Sequence, residues 1–294
     1  MKLSILLVGW LALAGADDYV VKSKANLVVL DVSVLGGDGQ PVGGLGRDNF
    51  QIFENGKRQV IKQFSVAETP VSVGFVIDMS GSMKRKLEGV RRATSIFLDA
   101  SNPKDEYFLI GFNDRPWVGL PTGMEFSING DDIRKAFGKA HAIGKTALYD
   151  GVVLALKHAV LSRYERRVLV LISDGKDTAS SLALTEALQA VRASAVTVYT
   201  IGLFSEDDED SNRGVLRQLA RVTGGRYYEP ATPAAIDEAS SAIARDLRAR
   251  YTLAYTPPVE ARSGVRKIKV ELERPPGMGK ANVRARSEYV LEEK

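Results

Sequence analysis

No cysteine occurs in the 294 residues, which removes disulfides, thiolate metal sites and a lipid-anchored cysteine from consideration. Histidine is nearly as scarce: His141 and His158 stand apart from other metal-ligand types and from any nucleophile that would need a base. Basic excess is also small, at +4 from 40 Lys and Arg against 36 Asp and Glu. Those charges are interspersed, so no dense basic stripe offers the phosphate contacts that nucleic-acid binding needs. Of the two tryptophans, Trp10 lies in the first apolar segment and Trp117, beside Pro116, reads as a surface or hairpin contact. No segment is apolar over the roughly 20 residues that cross a bilayer.

What remains is ordinary globular composition, 45% hydrophobic and 26% charged, on a chain long enough for one large domain or two modest ones. Met1-Lys2, the apolar run Leu3 to Leu13 and Ala14-Gly15-Ala16 form the pattern of a secretory signal peptide, 1–16, cleaved after Ala16. The mature chain is therefore expected to be secreted or periplasmic, with no membrane span. Export without cysteine fits a bacterial envelope or secreted protein.

Segment 17–67 reads as β structure. "NLVVLDVSVL" (Asn26 to Leu35) is strand-like, a Gly-rich loop follows, and Asn55-Gly56 between two strand-like runs signals a type I′ hairpin. From 68 to 250 strands and helices alternate. Val71 to Asp78, Glu106 to Phe112, Arg167 to Ser173 and Val196 to Leu203 are near-continuous apolar runs, as expected of strands covered on both faces. Lys84 to Ala100, Ala147 to Ser162 and Thr232 to Arg250 show helical periodicity. Segment 251–294 returns to β alternation in "RKIKVELER" and "ANVRAR". The expected fold class is α/β: a doubly wound, mostly parallel sheet inserted in a small β-sandwich made by the two terminal segments.

In such sheets ligands bind beyond the carboxyl ends of the strands. "DMSGSM" places Asp78, Ser80 and Ser82 there, with alternate positions able to face one side while Gly81 permits a tight turn. "GKTALYDG" carries Thr146 to the same edge, and "LISDGKD" carries Asp174. These five residues offer only hard oxygen, which suits Mg²⁺, Mn²⁺ or Ca²⁺ and poorly suits zinc or copper.

The three motifs together resemble the metal-ion-dependent adhesion site (MIDAS) of von Willebrand factor type A domains. The flanks, "GLGRDNFQIFENGKRQVIKQFS" and "RYTLAYTPP" through "VRARSEYV", are similar to the exported bacterial VWFA-related, acidobacterial-type subfamily. The resemblance implies a Rossmann-like fold and a non-enzymatic, adhesion-type protein. It further implies that Ser80, Ser82 and Thr146 ligate Mg²⁺ directly, that Asp78 and Asp174 hold it through waters, and that an Asp or Glu of a protein partner completes the coordination.

Competing readings attach to the same residues. Asp78, Ser80 and Ser82 are also good helix caps. A structural or assembly role in the envelope would leave the metal stabilising the fold alone. A haloacid-dehalogenase-type phosphotransferase would use Asp78 as nucleophile, but it wants a second carboxylate where Ser80 stands. "GKT" lacks the glycine spacing of a P-loop, since Gly138 leaves five residues before Gly144. The acidic run Glu206 to Asp210 reads as a solvated loop or a second cation site without EF-hand spacing. The leader predicts that protein recovered from outside the cytoplasm begins at Asp17; amino-terminal sequencing that finds Met1 retained refutes cleavage.

Overall fold

The computed structural model describes residues 27–66, 69–204, 212–258 and 264–291. The expected leader, the acidic run Glu206 to Asp210 and the tail from 292 lie outside the described residues. The chain opens with β1 (Val28–Gly36), β2 (Phe50–Glu54), β3 (Lys57–Gln59) and β4 (Gln63–Ser65). Strands β2 and β3 form the hairpin expected at Asn55-Gly56, and both turn residues take positive φ, 47° and 79°.

The alternating part contains β5 (Ser72–Asp78), α1 (Leu87–Asp99), β6 (Glu106–Phe112), β7 (Pro116–Val118), α2 (Gly130–Gly138) and α3 (Leu148–Ala159). It continues through β8 (Arg167–Ser173), α4 (Leu184–Ala193), β9 (Thr197–Gly202), α5 (Arg213–Thr223), β10 (Tyr227–Tyr228) and α6 (Pro233–Arg248). The sheet order is β10-β9-β8-β5-β6-β7, parallel except for the edge strand β7. From β5 the chain winds to β6 on one side and later to β8 on the other, so strand order reverses between β5 and β8. Every residue of β5 and β6 is buried, which explains the uninterrupted apolar runs.

The four long strands match their expected spans to within a residue at either end, whereas the three expected helices are each shorter than the sequence periodicity suggests. At the start of α1, residues Gly81–Met83 form a separate 3₁₀ turn. Helices α2, α4 and α5 and strands β7 and β10 have no counterpart in the sequence reading. The nine and ten residues of α2 and α4 bury too few apolar positions to mark a period. In α5 the pattern is legible, with Val215, Leu216, Leu219 and Val222 on one face.

After α6 come β11 (Arg250–Tyr255), β12 (Gly264–Leu272), β13 (Ala281–Arg284) and β14 (Glu288–Leu291). They interleave with the first strands in two antiparallel sheets, β13-β1-β11-β4 and β14-β12-β2-β3. Each sheet therefore needs both ends of the chain. Leu30, Val32, Phe50, Ile52, Leu253 and Ile268 fill one apolar core between them, so the terminal segments make the sandwich in which the α/β unit is inserted.

A buried polar knot ties the two units. Asp246 near the end of α6 accepts hydrogen bonds from Ser33 of β1 and Tyr199 of β9, and pairs with Arg250 of β11 at 3.1 Å. Burial alone would push the Asp246 carboxyl up. The Arg250 charge and the hydrogen bonds outweigh it and hold the group below its ordinary value. A depressed folded value means that stability from ionised Asp246 is complete above the unfolded value near 3.8 and is lost as pH falls through the folded one. Asp246→Ala is expected to cost about 3–5 kcal/mol in urea unfolding at neutral pH, because it strands a buried guanidinium. Asp246→Asn should flatten the acid limb of the stability profile; a limb as steep as that of the unaltered protein would refute this assignment.

Candidate metal centre

Asp78 is the last residue of β5 and Asp174 immediately follows β8, the strand paired beside it. The reversal of strand order thus places two carboxylates next to each other at the carboxyl edge. Both are buried, at 0% and 1% exposure. Among the described residues, no Lys or Arg lies within ion-pair distance of either.

The turn after β5 supplies the hydroxyls. Asp78 Oδ1 accepts the Ser80 N–H at 2.9 Å, closing a local turn that brings Ser80 and Ser82 to the same side. Their Oγ atoms are 3.1 Å apart, and Ser82 Oγ donates to Asp174 Oδ2 at 2.6 Å. Met79 points into the core instead. The helix-cap reading is corrected here: neither Ser80 at the 3₁₀ turn nor the residue preceding α1 makes a side-chain cap. The hydroxyls are turned toward each other and toward Asp174, away from the helix amides.

Thr146 arrives on a loop pinned from three directions. Gly81 N–H donates to Gly144 O at 3.0 Å and Ile143 N–H to Met79 O at 2.8 Å, which fastens the loop to the turn after β5. Ala147 N–H donates to Asn113 O at 2.7 Å, at the end of β6. On the far side Thr146 N–H donates to Thr178 Oγ1 at 3.0 Å, while Thr146 O accepts from Thr178 and Ala179. Thr146 is buried, yet its hydroxyl makes no hydrogen bond among the described residues. Ser82, by contrast, is exposed, so the cluster opens to solvent on that side. Lys145 is exposed and its N–H donates to Asp114 Oδ1 at 3.2 Å.

Two further residues hold the site, and the sequence reading did not single them out. Ser173 Oγ donates to Asp78 Oδ2 at 2.6 Å and accepts the Gly175 N–H at 3.0 Å, so it orients the carboxylate and the following turn together. A serine ending an apolar strand directly before Asp174 was the available signal. Thr178, in "DGKDT", braces Thr146, and only the fold shows that the two loops meet. Gly175 adopts φ 78°, and a Cβ there would lie 2.4 Å from Asn212 O, so the turn after Asp174 requires glycine.

Burial pushes the Asp78 carboxyl up to about 6; hydrogen bonds from Ser173 and Ser80 oppose the rise and the Asp174 charge adds to it. Two like-charged buried carboxylates beside three hydroxyls, without a cation among the described residues, have the chemistry of a hard divalent-cation site. The oxygen set fits such an ion. Among the described residues no group of three or more His, Cys, Asp or Glu forms a rival site.

The family model for the von Willebrand factor type A domain matches residues 72–242. No curated protein matches the chain in sequence. Among solved structures, a von Willebrand factor type A protein from Catenulispora acidiphila is 16% identical with a TM-score of 0.56, covering 92% of this chain and 74% of that one. A D319A mutant of the PilB minor pilin from Streptococcus sanguinis is 14% identical with a TM-score of 0.52, covering 62% of each chain. Proximal thread matrix protein 1 from the mussel byssus, described with a zinc-occupied MIDAS motif, is 18% identical with a TM-score of 0.50, covering 66% of this chain and 49% of that one. At these identities the likeness is one of fold.

With the Asp174 repulsion relieved, Asp78→Asn in EDTA should melt at or above the unaltered protein, the gain staying below about 1–2 kcal/mol because the amide keeps only one of the two acceptor oxygens. Calorimetric melting at neutral pH checks this, and a lower melting temperature would show that the protein already satisfies both charges.

Proposed function

Since the chain belongs to the von Willebrand factor type A domain family, we propose that it is an exported, metal-dependent protein-binding module. Asp78, Ser80, Ser82, Thr146 and Asp174 hold Mg²⁺, and an Asp or Glu side chain of a protein partner is the ligand. The observation that carries this reading is the pair of buried carboxylates with no cation beside them among the described residues. In this reading the chain divides into a leader (1–16), a β-sandwich from 17–67 with 251–294, and the inserted site-bearing unit 68–250.

Each residue has a physical role in that reading. Ser80, Ser82 and Thr146 supply neutral oxygens, while Asp78 and Asp174 supply the charge that neutralises the ion. Ser173 fixes Asp78 and Thr178 fixes Thr146, so the donors are pre-organised and little ordering is needed on binding. Bound there, Mg²⁺ supplies an electrophilic position for a partner's carboxylate. The exposure of Ser82 leaves that side open, which favours partner binding over a purely structural ion.

The enzyme alternative fits this geometry poorly. As a phosphotransferase nucleophile Asp78 would need a free oxygen facing substrate, but it is fully buried and each oxygen accepts a hydrogen bond. The zinc described for the mussel protein is a reason to titrate several metals. Oxygen-only donors are expected to prefer Mg²⁺ or Mn²⁺ to Zn²⁺ relative to sites with imidazole or thiolate. No helix among the described residues is long and apolar enough to cross a membrane, which is compatible with an exported protein.

Calorimetric titration with Mg²⁺ should show one site, weakened at least ~100-fold in Ser80→Ala/Ser82→Ala through loss of two ligands. Passage over immobilised envelope proteins should retain a partner in Mg²⁺ and release it in EDTA, and replacing one acidic residue of that partner by its amide should abolish retention. Equal titration curves for the two proteins, or retention indifferent to EDTA, would refute the metal-dependent reading.

A further inference from the structure

Beside the metal edge runs a groove of about 690 Å³ between the β6–β7 edge of the central sheet and helix α2. Its floor and outer wall are apolar, formed chiefly by Met79, Leu109, Trp117, Leu120 and Met124. Two glycines shape it. The Trp117 ring lies so close to Gly111 that a Cβ there would be 2.4 Å from the indole, and Gly119 stands against Leu109 at 2.7 Å by the same measure. The indole is thus seated on backbone, yet 36% of Trp117 remains exposed, as does 37% of Met124. Large apolar side chains held half-open in a concavity of this size are a common setting for ligand contact.

The groove is continuous with the metal centre. Met79 follows Asp78 directly, and Asn113, whose carbonyl anchors the Thr146 loop, lines the groove at its near end. Ile143, 68% exposed on the Thr146 loop, donates its N–H to Met79 O. The groove therefore adjoins the ion site through the backbone of Met79 and Asn113, the two residues it shares with the turns that hold the site.

The groove's charge selects the occupant. Lys135 and Lys139, four residues apart on α2 and its cap, are exposed on the inner wall, and neither side chain has an ion pair or hydrogen bond among the described residues. Asp132 is the one carboxylate in the lining, and it accepts a hydrogen bond from Ser127 at 2.6 Å. With two lysines against one carboxylate the groove carries a net positive charge, next to the site proposed above to take a carboxylate.

We infer that this groove binds the same partner segment beyond its metal-coordinating residue: an extended acidic peptide whose next large apolar or aromatic side chain packs on Trp117 while further carboxylates face Lys135 and Lys139. The inference rests on the metal-dependent reading above for the position of the first carboxylate. It gives the partner a chemistry that coordination of one acidic residue does not, since the metal alone cannot distinguish one exposed Asp or Glu from another.

The probe is a short fluorescein-labelled peptide with one aspartate, a phenylalanine on its carboxyl side and two glutamates beyond, compared with a version carrying alanine for phenylalanine. Anisotropy in Mg²⁺ should show about tenfold tighter binding of the phenylalanine peptide. Lys135→Glu/Lys139→Glu should weaken it about tenfold at low salt and less at high salt. Occupancy is read directly by the Trp117 indole N–H resonance, assigned with Trp117→Phe, which should shift on peptide addition. Mg²⁺-dependent binding equal for both peptides with an unmoved indole overturns the groove and leaves the metal reading standing. Phenylalanine-selective binding with a shifted indole that EDTA does not alter supports the groove and removes the metal reading. No binding of either peptide overturns the groove, as does an indole shift that tracks protein concentration alone together with a dimer in sedimentation, which would assign it to a second copy of the chain.

Discussion

Two carboxylates buried side by side at a reversal of strand order are the constraint around which this molecule is arranged. Asp78 and Asp174 lie there because β5 pairs with β8 and both strands end at the same edge. Like charges out of water repel and lose hydration, so every neighbouring feature reads as compensation. Ser173, Ser80 and Ser82 donate to the carboxylates, and the Thr146 loop is fastened above them by backbone hydrogen bonds. Among the described residues these contacts include no positive charge, and that deficit is what the proposed cation would supply.

The rest of the fold keeps this edge rigid. Fully buried β5 and β6 fix the height of the turns, and the Asp246, Arg250, Tyr199 and Ser33 knot joins the end of α6 to the sandwich. Because each terminal sheet draws strands from both ends of the chain, neither terminal segment can build the sandwich alone. In the proposed function this rigidity would lower the cost of binding, since donors already held in place would not have to be ordered around an ion. The groove beside Trp117 extends the same economy, with its wall set by the close contacts at Gly111 in β6 and Gly119 just after β7.

Much of the α/β unit was legible in the sequence, because a strand covered on both faces must be a continuous apolar run and the four long ones are. The hairpin at Asn55-Gly56 was legible for a local reason, the need for positive φ at both positions. Short elements were not: α2 and α4 carry too few turns for a period to stand out, and the two residues of β10 carry no pattern at all. Ser80 and Ser82 sat where capping and coordination predict the same residue types, and only the direction of their hydroxyls separates the two.

By itself, then, the sequence determined the oxygen-only character of the site, the order of its three motifs and the strand ends that carry them, because these depend on residue type and local spacing. Tertiary structure decided the rest. It brought Asp174 within reach of Ser82 across 92 residues, made Ser173 and Thr178 supports of the site, and turned Trp117 from an isolated aromatic into the wall of a groove. Those outcomes follow from which strands pair and where their ends fall, and no local pattern in the chain encodes that choice.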